Sequence, residues 1–453
     1  MEEYKMPSYS KVREGKKNER AIVKPSHQVC DGDYSSPRYV YVNRDGGLPA
    51  AWTGSEVWTE FKIPKDFGVL SAVILSIDVS NKSATDATLF PTPLWISKTE
   101  IFLGQDLLET IYADDQLHET IGFRSYQSFN QINEVVNMSE DYDLAPAGLP
   151  GGAVSQRFYL PLEGTMLKSV RPFIAGYNAQ WKIRFTFASS IVAHGTAGCA
   201  QLSEMQMILE QADLSDAEKH AVASAHKNSV IDSTFYSRSR QQEVLPLNTS
   251  SSGNGGTPLY LRSFKNSSAG LLVYTTVQNP VPQERLVMLP LATLQLQDAM
   301  GNKKTELLRG DFLKPFTWSD HIDSPYTTYT QYGAPTLRRQ GVDAVFKTAG
   351  EPSNPEGANL YLIPFSASFQ DAVYRGCDLG TFKMTTQEKL MLTPKDADGY
   401  HVVTTPAVYD ATIAQTTAKV VDQSKWVDTL TTIISYDLGH LVVSNGDHYV
   451  SYA

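Results

Sequence analysis

Between Cys199 and Phe235 one well-started helix interrupts a chain whose other patterned stretches mostly repeat with the period of a β-strand. Ser215 and Glu218 fit a capping box, in which the hydroxyl accepts from the N3 amide while the carboxylate reaches back to the cap amide. Asp216 and Glu218 add negative charge at the positive end of the helix dipole. Leu214, Ala217, Ala221, Val222 and Ala225 fall at helical spacing and give one narrow apolar face. Just upstream, Met205, Met207 and Leu209 alternate, so Leu202–Gln211 is read as a strand that ends before the helix starts afresh. A single mid-chain helix flanked by two β-rich halves of similar length predicts a connector between two like domains.

The β signal is explicit on both sides. Val69, Val73, Leu75, Ile77 and Val79 occupy odd positions, which is one face of a strand. Leu94–Leu103 and Leu107–Tyr112 flank Gly104-Gln105-Asp106, a hairpin turn. Trp181–Phe187 alternates apolar and polar residues strictly, as in a sheet with one wet face. After a flexible spacer at 248–256, further strands are expected at Leu271–Gln278, Leu286–Leu296, Val342–Phe346, Leu360–Phe369, Leu379–Leu392 and Thr431–Val443. Aromatic content of 10%, with 23 Tyr, suits pleated surfaces. With no intervening helices, such a series predicts sandwiches or jelly rolls and not βαβ units. Two long polar stretches, 114–156 and 314–340, read as surface excursions between strands.

At 453 residues the chain exceeds what one core normally serves, and two or three domains are expected. A net charge of −10 disfavours general nucleic-acid coating. Residues 1–30 oppose this balance: seven Lys and Arg face four Glu, for a local charge of +3. This leader is either a solvated tail or an arm that reaches a neighbouring subunit, a genome or an anionic membrane. No apolar run is long enough to span a bilayer, and the start lacks the apolar core of a secretory signal. Three cysteines, Cys30, Cys199 and Cys377, are too few and too scattered for a disulfide framework. Synthesis in the cytosol or nucleus, without secretion, is expected. The sequons at Asn81, Asn137, Asn248 and Asn266 are then expected to be unused.

Motifs for catalysis are missing: no nucleophile elbow, P-loop, dinucleotide fingerprint or zincin helix occurs. His220 and His226 are six residues apart, off the i, i+4 ligand spacing, and read as surface imidazoles. Asp396-Ala-Asp398-Gly399 lacks the distal ligands of a calcium loop. The acid pairs Asp114/Asp115 and Glu140/Asp141 would serve a glycosidase only if the fold set partners about 5–10 Å apart, and otherwise read as solubilising loop acids. No catalytic, cofactor-binding or metal-binding residue is assigned, and neither a cofactor nor a small-molecule substrate is expected.

Several stretches resemble the double jelly-roll major capsid proteins of tailless icosahedral DNA viruses, in particular those of virophages, Polinton-like viruses and nucleocytoplasmic large DNA viruses. In the first half these are Phe158–Leu162, Arg171–Tyr177 and Lys182–Phe187. At the joint they are Met205–Leu209, Asp213–Lys219 and Ala225–Ile231. In the second half they are Tyr260–Phe264, Leu271–Gln278, the block Asn359–Ser366, Gly376–Lys383 and Lys389–Leu392, and the closing run Tyr436–Tyr452. Thr381-Phe382-Lys383 departs from the Asn-Phe-Ser form of the giant-virus branch.

The resemblance implies an all-β chain: two tandem eight-stranded jelly rolls joined by a strand-helix connector, with long surface loops. The expected divisions are a basic N-terminal arm at 1–30, a first roll at 31–213, a helical connector at 214–232 and a second roll at 233–453. It further implies a homotrimeric, pseudo-hexameric capsomer tiling the icosahedral shell of a double-stranded DNA virus, with its place in the virion. Partners would be neighbouring capsomers, a vertex (penton) protein and minor capsid proteins, with the arm near an inner membrane or the genome. The rival readings are a carbohydrate-binding or receptor-binding β-sandwich protein and, behind it, a β-sandwich glycosidase.

Overall fold

In the computed structural model the described residues are 35–45, 57–85, 87–89, 92–116, 151–152, 155–162, 165–194, 198–214, 216–245, 257–277, 291–309, 360–376, 380–394 and 429–453. Among the described residues ten strands precede the connector helix. They are β1 (Ser35–Asn43), β2 (Trp58–Lys62), β3 (Val69–Asn81), β4 (Thr88–Leu89), β5 (Ile96–Leu103), β6 (Asp106–Tyr112), β7 (Ser155–Pro161), β8 (Trp181–Phe187), β9 (Val192–His194) and β10 (Ala200–Asp213). A short helix α1 (Thr165–Val170) lies between β7 and β8, and the connector helix is α2 (Asp216–Asn228). The second set comprises β11 (Val230–Leu245), β12 (Thr257–Tyr260), β13 (Ser267–Val277), β14 (Leu291–Gln297), β15 (Leu308–Arg309), β16 (Leu360–Pro364), helix α3 (Phe369–Arg375), β17 (Phe382–Lys383), β18 (Lys389–Pro394), β19 (Thr429–Ser444) and β20 (Asp447–Tyr452).

The first set folds into two four-stranded antiparallel sheets, β1-β10-β3-β7 and β2-β8-β5-β6, with β4 and β9 paired at one end. In the second set the sheets are β11-β19-β13-β16, extended by β17 and β20, and β12-β18-β14-β15. Setting aside the small added strands β4, β9, β17 and β20 and counting eight strands within each half, both halves give the orders 1-8-3-6 and 2-7-4-5. This is one jelly roll drawn twice. The repeat is topological, and even its ornaments recur: α1 and α3 each follow the sixth strand of their roll. The chain is therefore a double jelly roll.

Burial follows the alternation in the sequence. Val69, Val73, Leu75, Ile77 and Val79 on β3 are all buried, as are Trp181, Ile183, Phe185 and Phe187 on β8. They meet between the sheets of the first roll, where Phe61 and Phe185 stack edge to face at 5.8 Å and Trp95 and Phe158 at 4.8 Å. Such pairs add about 0.5–1.5 kcal/mol beyond the area they bury. The second roll has its own core, with Leu271, Val273, Tyr361, Ile363, Leu390 and Ile433 at its centre. Ile231, Phe235, Leu441 and Val443 of the second roll instead join the core of the first. The two rolls thus share apolar packing at one end.

Three expectations need correction. The stretch Leu360–Phe369 is not one strand: β16 stops at Pro364, and Ser368 caps α3, its Oγ accepting from the Asp371 amide at 3.4 Å. Gly376 ends that helix in the left-handed conformation. Helices α1 and α3 therefore do interrupt the strand series, and β11 begins at Val230, so the last residues of the segment 214–232 are strand. Met205–Leu209 does lie in β10, and α2 starts at Asp216, but the Ser215 cap falls outside the described residues. So do residues 1–30, 117–150 and 310–359, which hold the basic leader, most of the first long excursion, all of the second and the strand expected at Val342–Phe346.

A candidate assembly joint between the rolls

The rolls meet along β6 and α1 of the first and β11 with the β19–β20 hairpin of the second. On β11, Arg238 and Arg240 sit two apart and so share one face of the strand. Arg238 Nη1 lies 2.8 Å from Glu109 Oε1 on β6, with side chains only 1% and 0% exposed. The other carboxylate oxygen, Oε2, accepts from the Met166 amide of α1 at 3.1 Å. Glu109 therefore ties the start of α1 and the second roll to the same point.

Two residues further along β11, Arg240 stacks over the Tyr112 ring at 4.4 Å and places Nε 3.5 Å from Asp115 Oδ1. The Tyr274 hydroxyl of β13 donates to the same oxygen at 3.0 Å. Burial pushes the Asp115 carboxyl up to about 6, with Asp114 adding to the rise and Arg240, Arg238 and the Tyr274 hydrogen bond opposing it. Asp115 is thus no solubilising loop acid. The Asp114/Asp115 pair that a glycosidase would need is engaged with Arg240, and Glu140/Asp141 lie outside the described residues. The described residues contain no group of three His, Cys, Asp or Glu placed to hold a metal, and Asp396 and Asp398 lie outside them.

The other end of the joint is built around His226 of α2. His220 is exposed, but His226 is 2% exposed, which corrects its reading as a surface imidazole. Its ring lies 5.5 Å from Phe173 and 5.7 Å from Tyr177. Nδ1 is 2.9 Å from the Val222 carbonyl, which can only accept, so the proton sits on Nδ1. Burial holds this imidazole below its ordinary pKa and keeps it neutral. Leu214 and Val222 of the expected apolar face are buried with Val69 and Phe173, whereas Ala217 is exposed. The His226 carbonyl accepts from Gly446, in the β19–β20 turn, at 3.2 Å. Asn178 of the first roll donates through Nδ2 to Asn445 O at 3.0 Å and to Asp447 Oδ1 at 2.9 Å. First roll, helix and second roll are locked at one place.

Close approach requires a glycine there. A Cβ on Gly176 would sit 2.3 Å from His226 Cδ2, deep inside van der Waals contact. Gly176→Ala is expected to cost about 1–3 kcal/mol by overpacking, read as a lower Tm; an unchanged melting curve would show that the ring yields freely.

Two sequons lie within the described residues, and both asparagines are engaged, Asn81 in the interior and Asn266 half-buried. Asn81 is fully buried and donates to Thr85 O at 2.9 Å, and Asn266 donates to Asp437 Oδ2 at 3.0 Å.

No protein-family model matches the chain, and no curated protein matches it. Solved structures do. What they share with this chain is a class of fold, the double jelly roll. Among its members, the PBCV-1 virus capsid aligns at a TM-score of 0.63 with 14% identity, over 93% of this chain and 98% of that one. The Faustovirus major capsid protein gives 0.55 with 7% identity, covering 91% of each chain. The Sputnik virophage structure gives 0.51 with 10% identity, over 92% of this chain and 89% of that one. At such identities the likeness is one of fold.

Proposed function

We propose that this chain is a major capsid protein that forms homotrimeric, pseudo-hexameric capsomers in an icosahedral virus shell. The observation that carries the reading is the duplicated strand order within one chain, 1-8-3-6 and 2-7-4-5 in both rolls, fixed by a buried joint. A tile made of two like units in fixed relation suits a ring of three copies with six near-equivalent lobes. The fold-level likeness to the PBCV-1 virus capsid and the Faustovirus major capsid protein supports the same reading. Its role is structural and not enzymatic, and its place is the virion after synthesis in the host cytoplasm or nucleus.

Within this reading, residues 1–30 are an arm, 31–213 the first roll, 214–232 the connector, whose last residues already run in β11, and 233–453 the rest of the second roll. The arm faces the shell interior, where its positive charge suits an inner membrane or the genome. Vertex and minor capsid proteins complete the shell, since a pseudo-hexagonal tile does not fit a five-fold position. Light scattering on the purified chain, followed by negative-stain imaging, tests this. Trimers of hexagonal outline are expected, and a stable monomer at every salt and protein concentration would refute the proposal. Removing residues 1–30 should leave trimers intact and weaken or alter shells; shells of unchanged stability and content would make the arm a mere tail.

A further inference from the structure

The β19–β20 turn sets an Asn-Gly pair at the point where the rolls lock. Ser444 pairs with Asp447, so Asn445 and Gly446 form a two-residue hairpin loop. Their φ values, 54° and 81°, are both left-handed, as a type I′ turn requires and as asparagine and glycine allow. Asn-Gly is also the pair in which a backbone nitrogen most readily attacks the preceding side chain, because glycine puts no Cβ in the way of ring closure. Asn445 is exposed, so water reaches its carboxamide, whereas Gly446 is buried.

The joint holds the peptide group between these two residues from both sides. The Asn445 carbonyl accepts from Asn178 Nδ2 at 3.0 Å, and the Gly446 amide donates to the His226 carbonyl at 3.2 Å. The Gly446 carbonyl in turn accepts from the Asn178 amide at 2.8 Å, and a Cβ on Gly446 would stand 2.7 Å from Asn178 Oδ1. For attack, the Gly446 nitrogen must lose its proton and turn toward Asn445 Cγ. That proton is committed to the His226 carbonyl, and turning the peptide plane breaks the bonds at both of its ends. The reaction therefore requires the turn to leave its seat on the first roll and α2.

We propose that Asn445 is a deamidation site that reacts only when the joint between the rolls opens, and that its isoaspartyl product keeps the joint from closing again. The Gly446 nitrogen bonds to Asn445 Cγ, the Cγ–Nδ2 bond breaks and ammonia leaves, which gives a cyclic imide. One water then opens the ring, either at Cγ to leave aspartate or at the main-chain carbonyl to leave isoaspartate. In isoaspartate the chain runs through Cβ and Cγ, so the two-residue loop gains a methylene. The former main-chain carbonyl becomes a free carboxylate near Asp447, whose Oδ1 already accepts from Asn178 Nδ2 at 2.9 Å. That product fits neither the tight turn nor its bonds to Asn178. The inference stands on the joint alone and does not depend on the capsid reading.

The test ages full-length wild type and Asn178→Ala in mildly alkaline buffer, with and without guanidinium chloride. Peptide mass spectrometry reads Asn445, with electron-transfer fragmentation to separate isoaspartate from aspartate. Four hydrogen bonds seat the turn. Native wild type should therefore react at least about a hundredfold more slowly than the unfolded chain. Asn178→Ala removes two of the four and should react about tenfold faster than wild type while still folded by circular dichroism. Chains carrying isoaspartate, separated by ion exchange, should melt below unmodified ones. Equal rates in native and unfolded wild type, a folded Asn178→Ala at the wild-type rate, or an unchanged melt of the isoaspartyl chain would each overturn the proposal. Should Asn178→Ala fail to fold, wild type in guanidinium below its unfolding transition gives the reading: the rate should climb ahead of the transition, and a flat rate overturns it.

Discussion

Arg238→Ala is expected to destabilise the chain by about 3–5 kcal/mol, the largest effect of any single substitution at the joint. The reason is asymmetric. The guanidinium and the Glu109 carboxylate are both out of water, 1% and 0% exposed, so removing the cation strands a buried anion that also holds the first turn of α1. Loss of the pair as a unit is a different matter. Arg238→Met combined with Glu109→Met should restore most of the loss, since desolvating two charges offsets much of what their attraction returns. Urea unfolding of the wild type and the two variants checks this. A mild Arg238→Ala effect, below about 1 kcal/mol, would mean that water reaches Glu109 and that the joint is open in solution.

The second large effect depends on pH. Asp115 titrates near 6 in the folded chain because burial disfavours its charged form, against an ordinary value of 3.8. Between those limits the folded state holds a proton that the unfolded state has released. Its contribution to stability is therefore complete below about pH 4 and is lost as pH rises through 6, a change of about 3 kcal/mol. Arg240, Arg238, Asp114 and the Tyr274 hydroxyl face the group and set the size of the step. In Asp115→Asn the step should vanish. The measurement is the difference in unfolding free energy between wild type and variant at pH 4 and at pH 7, in which other titrating groups cancel. Parallel profiles would place the Asp115 titration elsewhere.

The strands were legible because their signal is local. Alternation on β3 and β8, the Gly104-Gln105-Asp106 turn and the restart of periodicity at Asp216 each lie within a dozen residues, and each element formed where expected. The overrun from β16 into α3 was legible in principle, since Ser368-x-x-Asp371 is a cap signal. The motif resemblance pointed to the double jelly roll, yet the repeat could not be read by comparing the halves, because it resides in which strands pair and not in which residues they carry. The joint was hidden for the same reason. Arg238 and Glu109 are 129 residues apart, and nothing near either residue announces the other. The one local hint was Arg238-Ser239-Arg240, two long cations on a single strand face. His226 was misread because a histidine near a helix end usually faces solvent, and only the fold brings Phe173 and Tyr177 against it.

The position of β19 sets an order of events during synthesis. All strands of the first roll lie between Ser35 and Asp213, whereas the sheet that presents Arg238 and Arg240 stays without its central strand until Thr429–Ser444 has been made. At about 5–20 residues per second, the ribosome needs roughly 10–40 s to travel from one to the other. During that interval the strands of the first roll can pair while Glu109 on β6 waits for the face that will cover it. The arrival of β19 then completes the face that β6 receives and brings Leu441 and Val443 into the core of the first roll, so a chain released early would carry a first lobe that has nothing to dock against.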